Sequence, residues 1–199
     1  MFKFELFDIK NIPQIVDIVF PLWSDFDAPE TYRRLYSELI IRSNLFENDK
    51  RFQLTDNKTG EFLVSSFFMC KGDLCTVNSW VRQINKDFTL QQKQAFDRCR
   101  SYIELMDYKT QKLMNDDDIQ LTLYVSNKKG CGSQMLKKSA KLLLSKGYKT
   151  LYLWTDCECD WKWYAEHGFE MIYNGVCDMF TYKKQEFKTF IFKKNLLEI

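Results

Sequence analysis

The segment from Ile119 to Thr155 constrains the fold more than any other part of the chain. A β-rich run, Ile119 to Val125, leads into Asn127-Lys128-Lys129-Gly130-Cys131-Gly132-Ser133, then an amphipathic run from Gln134 to Gly147, then a second β-rich run, Thr150 to Thr155. In the middle run Leu136, Ala140 and Leu143 fall on one face, and Lys137, Lys138, Lys141 and Lys146 fall mostly on the other. That is helical spacing, and Gly147 is placed to stop the helix. A strand, a helix and a strand in succession make a βαβ unit, which predicts parallel strands and a right-handed crossover.

The chain has 7 glycines in 199 residues, and Gly130 and Gly132 are the only two that stand two apart. Between a strand and a helix they let the backbone turn sharply and expose successive N–H groups. The first turn of the helix has N–H groups without intrahelical partners. With the helix dipole and the charges of Lys128 and Lys129, this mouth suits a pyrophosphate. On their own the same residues read first as a tight turn and two solvated lysines. A dinucleotide fingerprint would need a third glycine where Met135 stands, and a P-loop would need Gly-Lys-Ser/Thr.

Around this unit the periodicity predicts further elements. Residues 2–9 alternate as a strand, Asn11-Ile12-Pro13 opens a helix, and 29–42 is a second helix, with a loop of aromatic and acidic residues, Leu22 to Asp27, between them. Phe52 to Thr55 and Glu61 to Cys70 form a hairpin across a turn-rich segment. Residues 89–106 are a helix whose Thr89 and Gln92 are spaced for a capping box. A short helix at 160–167, a Gly168-Phe169 turn and strands at 169–173 and 187–193 complete the chain. The expected architecture is α/β: a central mixed sheet with helices on both faces, in a single domain over 1–199.

A second segment, Trp161-Lys162-Trp163-Tyr164-Ala165-Glu166-His167-Gly168-Phe169, adds to the glycine pair. Together they resemble the GNAT superfamily of N-acetyltransferases. That family carries Gln/Arg-x-x-Gly-x-Gly/Ala at the start of its main helix, and an aromatic-Tyr-x-x-x-Gly-Phe segment some thirty residues later. Gly130 and Gly132 match the first motif, and Trp163-Tyr164, Gly168 and Phe169 match the second, with Asn127 standing where Gln or Arg is usual. The resemblance is specific over 119–173 and extends in element order over 1–70. It implies a GNAT-like acyl-CoA N-acyltransferase fold, with an acceptor-side half (1–118) and an acetyl-CoA-binding half (119–199).

The resemblance also implies a mechanism. Acetyl-CoA would lie in a cleft between strands 119–125 and 150–155, its pantetheine pairing with main-chain groups of Tyr124 and Val125. Its pyrophosphate would rest on the amides of Lys129, Gly130, Cys131, Gly132 and Ser133, with Lys128 and Lys129 as phosphate contacts. The acetyl group would pass directly to a primary amine, with the Val125 N–H facing the developing oxyanion and Tyr164 protonating the departing thiolate. Without its flanking motif Tyr164 would read as a core aromatic. The general base is unassigned. Asp156 reads first as an exposed turn aspartate and second as a group near the amine. Trp23, Asp25 and Asp27 occupy the stretch that borders the acceptor site in similar proteins, where acidic residues also serve solubility. The alternative is a GNAT-like module that binds an acyl-CoA or a partner without turnover.

Composition narrows the remaining classes. Net charge is +2, from 29 Lys+Arg and 27 Asp+Glu, with no long run of one sign, which argues against a nucleic-acid face. Uncharged stretches such as Phe62 to Cys70 fall well short of the about 20 residues that span a bilayer, so no membrane partner is expected. Charges of both signs at Met1 to Asp8 do not suit a signal peptide, which predicts a cytoplasmic protein with reduced cysteines. Seven cysteines fit free thiols, and Cys157-Glu158-Cys159 lacks C-x-x-C spacing, so no metal is expected. Cys131, at a helix N-terminus, would be the reactive thiol. His167, the only histidine, is expected to pack beside Gly168. The 79–118 insertion carries no acceptor signature, and its helix and the many aromatics leave room for a homodimer interface.

Overall fold

Seven strands form one sheet: β1 (Phe2–Leu6), β2 (Arg51–Asp56), β3 (Phe62–Met69), β4 (Asp118–Ser126), β5 (Thr150–Asp156), β6 (Glu170–Val176) and β7 (Lys188–Asn195). Their order is β1-β2-β3-β4-β5-β7-β6 in a computed structural model that describes residues 2–180 and 185–199. All neighbours are antiparallel except β4 and β5, which run parallel as the βαβ reading requires. Strand β3 is buried at every position. A continuous run such as Phe62-Leu-Val-Ser-Ser-Phe-Phe-Met is what a strand covered on both faces needs.

The covering helices are α1 (Ile12–Trp23), α2 (Glu30–Ser43), α3 (Val77–Ile84), α4 (Leu90–Gln111), α5 (Cys131–Ser145) and α6 (Trp161–Glu166). Helix α5 buries Met135, Leu136, Ala140 and Leu143 against Leu54, Ile119, Leu121, Leu151 and Leu153. The opposite face carries α1 with α2 over Phe67, Leu123 and Val125, and α2, α3 and α4 over Ile191 and Trp154. Helices therefore lie on both faces of a mixed sheet. Each large apolar side chain buried in these layers contributes about 1.5–3 kcal/mol before the entropy of ordering is subtracted.

Several elements differ in extent from the sequence expectation. Leu22 and Trp23 belong to α1 rather than to the following loop, although Pro21 lies inside the helix. Pro21 comes in the helix's final turn, where little hydrogen bonding remains to be lost, and the Ser24 hydroxyl then donates to the Phe20 carbonyl. Helix α4 starts with the predicted capping box, Gln92 N–H to Thr89 Oγ1 and Thr89 N–H to Gln92 Oε1, but runs on to Gln111. Helix α3, which straddles the start of the 79–118 insertion, is not among the expected elements. Helix α5 begins at Cys131 rather than Gln134, so the two glycines lie at its entry. Gly147, at φ +94°, ends that segment with Tyr148 N–H bonded to the Leu143 carbonyl.

Candidate functional site

The sheet opens along the seam between β4 and β5. Their pairing covers only Asp118 to Leu121 against Thr150 to Leu153. Beyond that point β4 stays on β3 as far as Ser126, and β5 stays on β7 as far as Asp156. The divergence has a local cause. Phe67 faces Leu123 while Phe68 faces Leu121, so Thr122 is an extra residue in β4, held by bonds from its hydroxyl to the Asn44 and Phe67 carbonyls. A bulge of this kind bends its strand and ends the neighbouring ladder. The main chain of Thr122 to Ser126 thus has β3 on one edge and no strand on the other.

At the open end of β4 the chain turns into α5. Gly130 is the N-cap at φ +82°, a left-handed conformation that favours glycine, and no side chain caps the helix. Cys131 N–H bonds back to the Lys128 carbonyl, which leaves the N–H groups of Gly132 and Ser133 in an uncapped first turn. Lys128, Lys129 and Gly130 are exposed, and Ser126 Oγ braces the turn by donating to the Lys128 carbonyl. Gly132 is glycine for a steric reason. A Cβ there would lie 2.7 Å from the Tyr124 hydroxyl, which is itself buried without a hydrogen-bond partner.

The third component is α6, which follows β5. Tyr164 packs edge-on to Trp163 (5.4 Å) and Phe169 (5.4 Å) and lies 5.7 Å from Phe192. Phe169 N–H bonds to the Tyr164 carbonyl, with Gly168 at φ +77° making the turn. Burial pushes the Tyr164 pKa up, with the neighbouring Cys159 and Tyr124 adding to the shift. Burial alone raises Tyr124. Two tyrosines, one from β4 and one from α6, thus meet on the α5 face of the opened seam.

Solved structures share this fold over nearly the whole chain. The ribosomal-protein-S18-alanine N-acetyltransferase from Escherichia coli is 14% identical over 98% of this chain and 94% of its own, with a TM-score of 0.55. An N-acetyltransferase from Staphylococcus aureus Mu50 is 14% identical over 98% and 99%, TM-score 0.51. The C-terminal condensation domain of Ebony, solved with beta-alanyl-dopamine, is 9% identical over 98% and 99%, TM-score 0.62. The chain has the GNAT N-acetyltransferase fold. No protein-family model and no curated sequence matches it. At these identities the likeness is one of fold, so the roles of individual residues rest on the geometry.

Within the GNAT fold, Tyr124 opens a path along the free edge of β4 that continues through Lys128, Lys129, Gly130, Cys131, Gly132 and Ser133 over the mouth of α5, whereas Val125, expected on the same edge, turns its N–H to Ser65 of β3. Cys131 takes part through its main chain only. Its side chain is 2% exposed within the apolar cluster under α5, which corrects the expectation of a reactive thiol there. Asp156 is also corrected. It ends β5 half-buried, accepting from the Tyr102 hydroxyl at 3.1 Å and from Glu158 N–H at 3.1 Å, rather than lying exposed in a turn. His167 stacks on Trp163 at 3.9 Å with Nδ1 2.8 Å from the Trp163 carbonyl.

Trp23 is half-buried against the cluster that includes Leu123 and Val125, on the face opposite α5, whereas Asp25 and Asp27 are exposed. Tyr102 had no sequence signal beyond its place in an apolar stripe. Among the described residues no group of three or more His, Cys, Asp or Glu is arranged to hold a metal ion, and no helix is long and apolar enough to cross a membrane.

The Gly132–Tyr124 contact gives a first prediction. Gly132→Ala overpacks a buried hydroxyl and should cost about 1–2 kcal/mol. In Tyr124→Phe the nearest atom to that Cβ is the ring carbon 3.4 Å away, an ordinary contact. The double variant should therefore recover most of the loss. Urea denaturation of the four proteins measures the coupling, and additive effects would show that the hydroxyl is not the obstacle.

Proposed function

We propose that this protein is an N-acetyltransferase that moves an acetyl group from acetyl-CoA directly to a primary amine of a small molecule or peptide. The observation that carries the proposal is the coincidence at one place of an opened β4–β5 seam, an uncapped helix mouth and a tyrosine in the cluster on the α5 side of the opening. The free edge of β4, where the main-chain groups of Tyr124 and Ser126 point away from β3, suits the amide groups of a pantetheine arm, which would add like a strand. The uncapped turn from Lys129 to Ser133, with Lys128 and Lys129 exposed beside it, suits a pyrophosphate. The buried Tyr124 hydroxyl beneath Gly132 excludes a side chain at that position, which keeps the turn bare.

Acetyl-CoA, as substrate, supplies an activated thioester. The chain's own part is to align that thioester with the amine, to offer the oxyanion a main-chain N–H from the free edge of β4, which the register assigns to Tyr124 rather than to the expected Val125, and to return a proton to sulfur from Tyr164. A tyrosine ordinarily ionises near pH 10, and burial pushes Tyr164 higher, so its hydroxyl holds its proton at neutral pH. The neighbours' names range from a ribosomal-protein alanine to agmatine, so the fold leaves the acceptor open.

Asn127 supports a second reading, a non-catalytic acyl-CoA-binding or partner-binding module, because it lacks the longer side chain of the motif. Calorimetric titration with acetyl-CoA, paired with thiol release over a panel of amines, separates the two. The enzyme reading expects micromolar binding and amine-dependent thiol release. Binding without release supports the module, and absence of binding overturns both.

A further inference from the structure

We infer that Asp156 is the base that receives the amine's proton, and that Tyr102 of α4 is the positioning residue that fixes its carboxylate at the mouth of the opened seam. The inference rests on the acetyltransferase reading above and extends it to the group that activates the acceptor.

The placement follows from strand register. The last β4–β5 pair is Leu121 with Leu153. Three residues further along β5 is Asp156, and three along β4 is Tyr124, with Val125 next because of the Thr122 bulge. Asp156 therefore stands across the opening from Tyr124 and Val125, and of these two it is Tyr124 whose N–H faces the opening, because Val125 N–H points to Ser65 of β3 just as Asn127 N–H bonds to the Leu63 carbonyl. Alternation along β5 sets the face. Leu151 and Leu153 point into the α5 layer, whereas Trp154 meets the α4 layer, and Asp156 follows Trp154 in phase. Tyr164 approaches from the α5 face. The carboxylate and the tyrosine thus address the seam from opposite faces, as an attacking amine and a departing thiolate require.

The surroundings of Asp156 are unusual for a structural carboxylate. One oxygen accepts from Tyr102 and the other from Glu158 N–H, and the Cys159 thiol also bonds to the group. No lysine or arginine pairs with it among the described residues. Around Tyr102 stand the rings of Trp154 (5.3 Å), Phe180 (5.1 Å) and Phe187 (5.7 Å), and Cys177 acts on the same hydroxyl. A half-buried carboxylate with no cation of its own favours a cationic guest, and burial raises its pKa toward the range of a working base.

The protons balance. An ammonium reaching Asp156 gives one proton to the carboxylate and becomes a neutral amine. Its nitrogen forms a bond to the thioester carbon, and the carbon–sulfur bond breaks as the oxyanion collapses. Tyr164 gives its proton to sulfur and regains one from the new amide nitrogen, while Asp156 returns its proton to water. The net products are amide, thiol and one proton.

The test is the pH profile of kcat/KM for thiol release, using whichever of tyramine, agmatine, spermidine and an alanine-initiated peptide the wild type acetylates. Asp156→Asn should lower kcat/KM about 100-fold at pH 7 and abolish the acidic limb, with acetyl-CoA affinity within about twofold of wild type. Tyr102→Phe removes a bond to the charged carboxylate, so the acidic limb should move up by about one pH unit while the rate above it is largely kept. A merely structural tyrosine would not move that limb. Full activity with an unchanged limb in Asp156→Asn overturns the inference alone, and an unmoved limb in Tyr102→Phe removes the role of Tyr102. A wild type that binds acetyl-CoA but acetylates none of the amines overturns the reading beneath both.

Discussion

Replacing Tyr164 by Phe should slow amine-dependent thiol release by two to three orders of magnitude, the range of a lost general acid, about 10²–10⁴-fold. The substitution keeps the ring, and with it the packing on Trp163, Phe169 and Phe192, so stability should change little. It removes the proton that Tyr164 holds on the α5 face of the seam. Acetyl-CoA affinity should stay within about twofold, because the free edge of β4 and the mouth of α5 are untouched. The loss should therefore sit in kcat rather than in KM for acetyl-CoA. Since burial raises the Tyr164 pKa, a basic limb near neutrality in the wild type would belong to another group. Unchanged turnover in Tyr164→Phe would dispose of the acid assignment and return Tyr164 to the role of a core aromatic.

What could be read from the sequence, and what could not, divides along physical lines. Gly130 and Gly132 were legible because they act through the backbone, and a backbone requirement shows directly as an absent side chain. The parallel β4–β5 pair was legible because a strand–helix–strand succession leaves little other topology open. The steric reason for Gly132 was hidden, since the Tyr124 hydroxyl reaches it only after β4 and α5 have packed. Asp156 was misread because its environment comes from Tyr102, 54 positions away on a helix of the insertion. No local pattern encodes that contact. Helix α3 did leave a signal, Val77, Trp80, Val81 and Ile84 at helical spacing, but it lacks a side-chain cap and spans only two turns. Trp23 reads as part of a loop because it stands in an aromatic and acidic stretch, yet α1 runs past Pro21 to include it, since a helix tolerates proline where few bonds remain to be made.

Asp107→Asn should stabilise the protein at neutral pH, against the usual direction for a buried, doubly bonded side chain. Asp107 on α4 is 7% exposed, and its Oδ1 accepts from Gln120 Nε2 at 2.6 Å and Trp154 Nε1 at 2.7 Å. One oxygen thus joins β4 to β5 at the last stretch before the seam opens. Burial raises its pKa from 3.8 to about 6, against the two hydrogen bonds, which lower it, and with a small upward push from Glu104. Between these values the folded chain holds a proton that the unfolded chain has lost. Stability contributed by the protonated group is therefore complete below about pH 4 and is lost as pH rises through about 6. Two units correspond to about 3 kcal/mol. An asparagine keeps an oxygen for both donors and carries no charge. The gap between variant and wild type in urea denaturation should then be near zero at pH 4 and grow to at most about 3 kcal/mol by pH 7. A gap that stays constant with pH, or an asparagine variant weaker at pH 7, would mean that the bonds to the charged form outweigh burial. Asp107→Leu is the contrasting case: it leaves the Gln120 and Trp154 donors buried without an acceptor, about 1–3 kcal/mol each, and should destabilise at every pH. The same pair of variants tests whether this tie also holds the cleft, since only the leucine protein should lose acetyl-CoA affinity along with stability.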